Sequence, residues 1–92
     1  MDRRSRIEAR LRAELAASHV DVADESHLHA GHAGAASGGG HFRATIVSDR
    51  FAGLSRVARQ RLVYGVLAEE LKREIHALSL RTFTPEEWAA TA

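Results

Sequence analysis

Residues 41–53 read HFRATIVSDRFAG, and this stretch decides the fold. Phe42, Ala44 and Ile46 alternate with Arg43 and Thr45, the period-two pattern of a strand with one face on a core and the other toward water. The alternation runs from His41 to Asp49, and Phe51-Ala52-Gly53 then supplies a turn. A second alternating run lies upstream, from His19 to Glu25, with Val20 and Val22 on one face and Asp21 on the other. The two runs are expected to pair antiparallel in one sheet.

Reading outward from these strands gives the remaining elements. Ile7, Leu11 and Leu15 recur every four residues among charges, one apolar stripe on a first helix that is expected to end near Ser18. Downstream, Ser55 is a suitable N-cap. The spacing of Val63, Leu67, Leu71 and Ile75 carries helix to about Glu74, with a break near Gly65. His76 to Phe83 reads as a third strand, with Leu78 and Leu80 on its core face. Thr84-Pro85-Glu86-Glu87 starts a short last helix: Thr84 at the N-cap, Pro85 at the first helical position and Glu87 completing a capping box. Trp88 follows as a large apolar anchor. The order is α-β-β-α-α-β-α, an α+β class, in one domain spanning 1–92 with no internal repeat. Residues 26–40 form one long loop, because Gly31, Gly34, Gly38, Gly39 and Gly40 oppose both helix and strand. Long loops in compact domains are often functional.

Bulk properties narrow the function classes. A chain of 92 residues builds one modest core and leaves little room for a deep cleft. A formal net charge of +1 gives no overall field toward nucleic acid or membrane. With no cysteine, the chain has no disulfide, thiol nucleophile or thiolate ligand of its own, which fits a reducing, cytoplasmic setting. Apolar runs are too short to span a bilayer. Arg3, Arg4, Arg6, Arg10 and Arg12 resemble a transit peptide in composition, but Asp2, Glu8 and Glu14 among them favour a helix of the mature domain. No nucleophile elbow, phosphate-binding loop or paired-carboxylate layout is present, and an enzyme is not expected.

Histidine is the informative residue type. Six occur, at 19, 27, 29, 32, 41 and 76, three of them in the glycine-rich loop. Neutral imidazole ligates zinc, copper, iron and nickel. A loop with His27, His29 and His32 can fold several donors onto one metal, or it can be a polar loop with histidine among its solvating residues. His76, at the start of the third strand, reads on its own as structural. The other feature is basic: Arg50, Arg56, Arg59 and Arg61 near the start of the second helix, with Lys72 and Arg73 at its far end. A helix pair broken near Gly65 is one way to enter a DNA major groove. Glu69, Glu70 and Glu74 answer this charge, and a solvated helix face accounts for it as well.

Several spaced motifs occur together. Asp24-Glu25-Ser26 ends the first strand and His41-Phe42 opens the second. Ile46-Val47-Ser48 with Phe51-x-Gly53 follows, then Arg59-x-Arg61 with Val63-Tyr64. Glu69-Glu70-Leu71 leads to His76-Ala77-Leu78, and Thr84-Pro85-x-Glu87-Trp88 closes the set. In this order they resemble the BolA family from Ile7 to Trp88. The resemblance implies a class II KH-like fold, a three-stranded sheet backed by helices. It implies a non-enzymatic partner of monothiol glutaredoxins, those with a Cys-Gly-Phe-Ser active site, sharing a [2Fe–2S] cluster with them and acting in iron–sulfur trafficking, iron regulation or transcription. The family's cluster ligands would fall on His76 and on one histidine of the loop, His29 first and His32 second. Where members commonly read Arg-His-Arg, this chain has Arg59-Gln60-Arg61, so no ligand is assigned there. No Gly-x-x-Gly clamp of the KH type occurs between Ser55 and Ile75.

Elementary chemistry runs the same way. A [2Fe–2S] cluster takes four ligands, nearly always including thiolate. This chain offers imidazoles only, two at most as in a Rieske-type half-site. A partner cysteine and glutathione would have to bring the sulfur. The runner-up function is a DNA-binding regulator using the arginine-bearing helix 55–75, and a third is a metal binder using the loop histidines alone.

Overall fold

The computed structural model describes residues 2–26 and 40–91; the expected loop, apart from Ser26 and Gly40, lies outside them, and with it His27, His29 and His32. Helix α1 spans Arg3–Glu14, capped by the Asp2 carboxylate, which accepts from the Ser5 amide at 2.8 Å. That hydrogen bond holds the Asp2 carboxyl below its ordinary range. Ile7, Leu11 and Leu15 are fully buried, as their spacing predicts. The helix ends at Glu14, before the expected Ser18, because Ala16 turns left-handed at φ 47° and reverses the chain as glycine commonly does.

Strands β1 (His19–Asp24), β2 (Gly40–Val47) and β3 (Ile75–Phe83) form one sheet in the order β1-β2-β3. β1 pairs antiparallel with β2, with His19 opposite Val47 and Asp24 opposite Phe42. β2 pairs in parallel with β3. A parallel neighbour needs a crossover, and the two helices between β2 and β3 supply it: α2 (Arg56–Val66), capped by Ser55, and α3 (Ala68–Arg73). The break falls at the buried Leu67, two residues beyond the expected Gly65, which remains helical. Ile75, which the four-residue spacing placed with the helix, opens β3.

Val20, Val22, Phe42, Ala44 and Ile46 pack with the α1 stripe, Phe51, Val63 and Leu67 into one core. Leu78 and Leu80 lie partly buried against it. Among the described residues Ser48 is the buried polar one: its hydroxyl donates to the Leu15 carbonyl at 2.6 Å and accepts from the Arg50 amide at 3.1 Å. It thereby fastens the end of α1 to the end of β2. Helix α4 (Pro85–Ala90) opens with the predicted capping box between Thr84 and Glu87. Trp88 anchors this helix outside the main core, stacked on His19 at 5.0 Å between ring centroids and tilted against Phe83 at 5.2 Å. His19, Val47 and Phe83 share one row across the sheet.

Gly40 is required where it stands. A Cβ there would fall against the Phe42 ring and 3.2 Å from the Ser26 hydroxyl. Gly40→Ala is therefore expected to cost about 1–3 kcal/mol, read as a lower urea midpoint with unchanged slope.

A candidate metal-ligand site at one end of the sheet

Parallel pairing brings the starts of β2 and β3 to the same end of the sheet. The Gly40 amide donates to the Glu74 carbonyl at 2.9 Å. That carbonyl also accepts from the Arg3 guanidinium at 3.3 Å, and the Glu74 carboxylate meets Arg6. The ladder then shifts: Gly40 lies opposite Ile75, but His41 lies opposite Ala77. His76 is the extra residue that this bulge creates, and bulges re-aim side chains. Its exposed ring lies 5.1 Å from the ring of His41, centroid to centroid, with the planes at 50°.

The Asp24-Glu25-Ser26 motif fixes the other side of His41. Asp24 Oδ1 accepts from both the amide (3.0 Å) and the hydroxyl (2.6 Å) of Ser26. Ser26 Oγ in turn accepts from the His41 amide at 3.1 Å. The Glu25 amide donates to the His41 carbonyl at 2.8 Å, and the Glu25 carboxylate lies 3.6 Å from Arg43. The His41 backbone is held on both sides of its peptide by Glu25 and Ser26, just past β1, so the half-buried ring stands on a fixed base.

His76, chosen from the sequence, thus stands exposed at a strand start, while His29 and His32 lie outside the described residues. His41 was missed as a site residue. Its signal was present, because both histidines open strands, but only the parallel pairing makes those starts neighbours. No group of three or more His, Cys, Asp or Glu that could hold a metal ion occurs among the described residues. At this end of the sheet the described residues bring together two imidazoles, His41 and His76, and no thiolate.

Not all of the basic residues face outward. Arg59 turns inward, its side chain only 12% exposed. It donates to the carbonyls of Leu54 (3.0 Å) and Thr82 (3.3 Å) and to both Glu87 oxygens (2.6 and 3.2 Å). Arg56 lines a shallow depression beside Thr82 and Phe83, whereas Arg61 lines another beside Arg10 and Glu14. Lys72 lies 3.9 Å from Glu69. Arg50 and Arg73 are exposed.

The Arg59 hydrogen bonds, and then the Thr84 amide, bring the Glu87 carboxyl from its ordinary 4.5 down to about 2. A depressed carboxyl contributes stability that is fully present above the unfolded value of 4.5 and is lost as pH falls through about 2. Glu87→Gln should therefore lower the melting temperature at pH 7 and flatten its decline between pH 4.5 and 2. Melts across that range check it.

The element order, mixed sheet and strand-start site define a small α+β domain of BolA-like fold. The chain belongs to the BolA family: the family model described as BolA-like protein matches residues 11–87. It is 46% identical over 85 residues to the DNA-binding transcriptional regulator BolA of Escherichia coli, covering 92% of this chain and 78% of that one. The solved BolA domain of SufE1 from Arabidopsis thaliana superposes with a TM-score of 0.83 at 44% identity, covering 95% of this chain and 96% of the other. BolA1 from the same plant gives 0.81 at 42%, covering 95% and 96%. Among the described residues, no helix is long and apolar enough to cross a membrane.

Proposed function

We propose that this chain is a non-enzymatic adaptor that shares a [2Fe–2S] cluster with a monothiol glutaredoxin of the Cys-Gly-Phe-Ser type and acts in iron–sulfur trafficking or iron regulation. The observation that carries the reading is His76: an exposed imidazole, re-aimed by a bulge, in a chain without cysteine. Such a chain brings nitrogen donors and depends on its partner for sulfur, here the glutaredoxin cysteine and glutathione. In this reading His76 is the first ligand and His29 or, next, His32 the second. The cluster is cargo, and imidazole in place of thiolate removes negative charge and raises its reduction potential. The residues of this chain orient that imidazole: Gly40, Glu74 and the Arg3–Arg6 pair hold the strand start from which His76 projects. The test is to combine the purified chain with such a glutaredoxin, iron, sulfide and glutathione. A one-to-one complex with visible circular dichroism distinct from that of the glutaredoxin alone supports the reading; no complex overturns it.

One observation favours a second reading. The E. coli relative at 46% identity is named a DNA-binding transcriptional regulator. For this chain the contacts would come from Arg50, Arg56, Arg61, Lys72 and Arg73, with Arg59 held inward. A net charge of only +1, with Arg59 turned inward, predicts weak binding through phosphates. Affinity should fall steeply with salt, and loss of one phosphate-contacting arginine should lower the salt slope by about 1. Fluorescence anisotropy with a labelled duplex at several salt concentrations checks this. Tight, sequence-specific binding that persists at high salt would move DNA recognition to first place.

A further inference from the structure

We propose that His41 and His76 form a two-imidazole chelate that binds a divalent transition-metal ion in the absence of any partner. Two imidazoles on one tetrahedral ion, with metal–nitrogen bonds of about 2.0–2.1 Å, have ring centroids about 5 Å apart. The His41 and His76 centroids stand at 5.1 Å, the separation that such a pair of ligands would have.

The supporting frame is already built. His41 is fixed through its amide to Ser26 and its carbonyl to Glu25, and the start of β3 is tied to Gly40 and α1 through Glu74. A donor pair on such a frame loses little conformational freedom on binding. The exposed His76 ring gives the ion access. Imidazole donors suit copper(II), nickel(II) and zinc, whereas magnesium and calcium want oxygen, and among the divalent ions copper(II) binds most strongly. Two protein ligands leave the remaining positions to water or to a partner, which makes the site open and exchangeable. Where this inference rests on the cluster-sharing reading, it has one consequence: His76 serves one metal at a time, so the ion and the shared cluster exclude each other.

The experiment needs no glutaredoxin, so its failure is separate from failure of the cluster reading. The full chain is titrated with copper(II), followed by pulsed electron paramagnetic resonance, which counts coordinated imidazoles. One equivalent with two imidazoles is expected. His76→Ala and His41→Ala should each weaken apparent affinity at least tenfold and leave at most one imidazole. His41→Gln keeps a polar side chain on the same backbone and should behave as His41→Ala does, and far-ultraviolet circular dichroism checks that each variant is folded. A chain with His27, His29 and His32 all replaced by Ala should keep the two-imidazole signal. If the folded His41→Gln variant binds copper(II) as the parent does, or if the loop replacement abolishes the signal, the assignment is overturned.

Discussion

Phe51→Ala is expected to remove about 3–5 kcal/mol of stability, the range for deleting a fully buried phenylalanine ring. The ring is 0% exposed and packs within the core at the end of the short helical turn Asp49–Phe51. The Arg59 guanidinium lies over it at 5.8 Å from the centroid. A domain of this size has roughly 5–14 kcal/mol in total at 0.05–0.15 kcal/mol per residue, so the variant loses a large share of it. The damage also spreads outward. Arg59 joins this turn to the end of β3 and to α4 through Leu54, Thr82 and Glu87. The cavity therefore lies beneath the bracket that seats the last helix. Urea unfolding followed by Trp88 fluorescence measures the loss, and Phe51→Leu, which refills most of the volume, should recover more than half of it. A loss below 1 kcal/mol would show that the ring is not the keystone that its burial indicates.

The second large effect concerns function. His76→Ala should fold like the parent, because the ring is exposed and the bulge that carries it is held by backbone bonds of Gly40 and Glu74. The shared complex should nevertheless lose the His76 imidazole. No cysteine exists in the chain to take over, and alanine has no donor. Any cluster that remains would keep at most the loop imidazole, and its potential should fall toward the plant-type value of about −400 mV. Equal melting temperatures together with a loss of the His76 share of the nitrogen signature separate a ligand from a packing residue.

Local rules made much of this fold legible in the sequence. The Ile7-Leu11-Leu15 stripe, the alternation through Phe42, Ala44 and Ile46, and the capping box of Thr84 and Glu87 depend on neighbours a few residues apart, and all three are realised. Features set by distant partners were not legible. Alternation cannot say that β3 runs parallel to β2, and without that pairing nothing sets His41 beside His76. The break at Leu67 rather than Gly65 follows from burial of the leucine, not from glycine's helix propensity. Arg59 reads like any basic helix residue until Glu87, 28 positions on, comes round to meet it. Ala16 gives no sequence sign that it will take a left-handed conformation.

One measurement bears on the central claim most directly: pulsed electron paramagnetic resonance of the reduced [2Fe–2S] cluster in a complex of this chain with a monothiol glutaredoxin. The account predicts nitrogen couplings typical of coordinated imidazole with the parent chain, and loss of the His76 contribution with folded His76→Ala. Spectra that are free of imidazole nitrogen in the parent complex, or unchanged by the substitution, would contradict it.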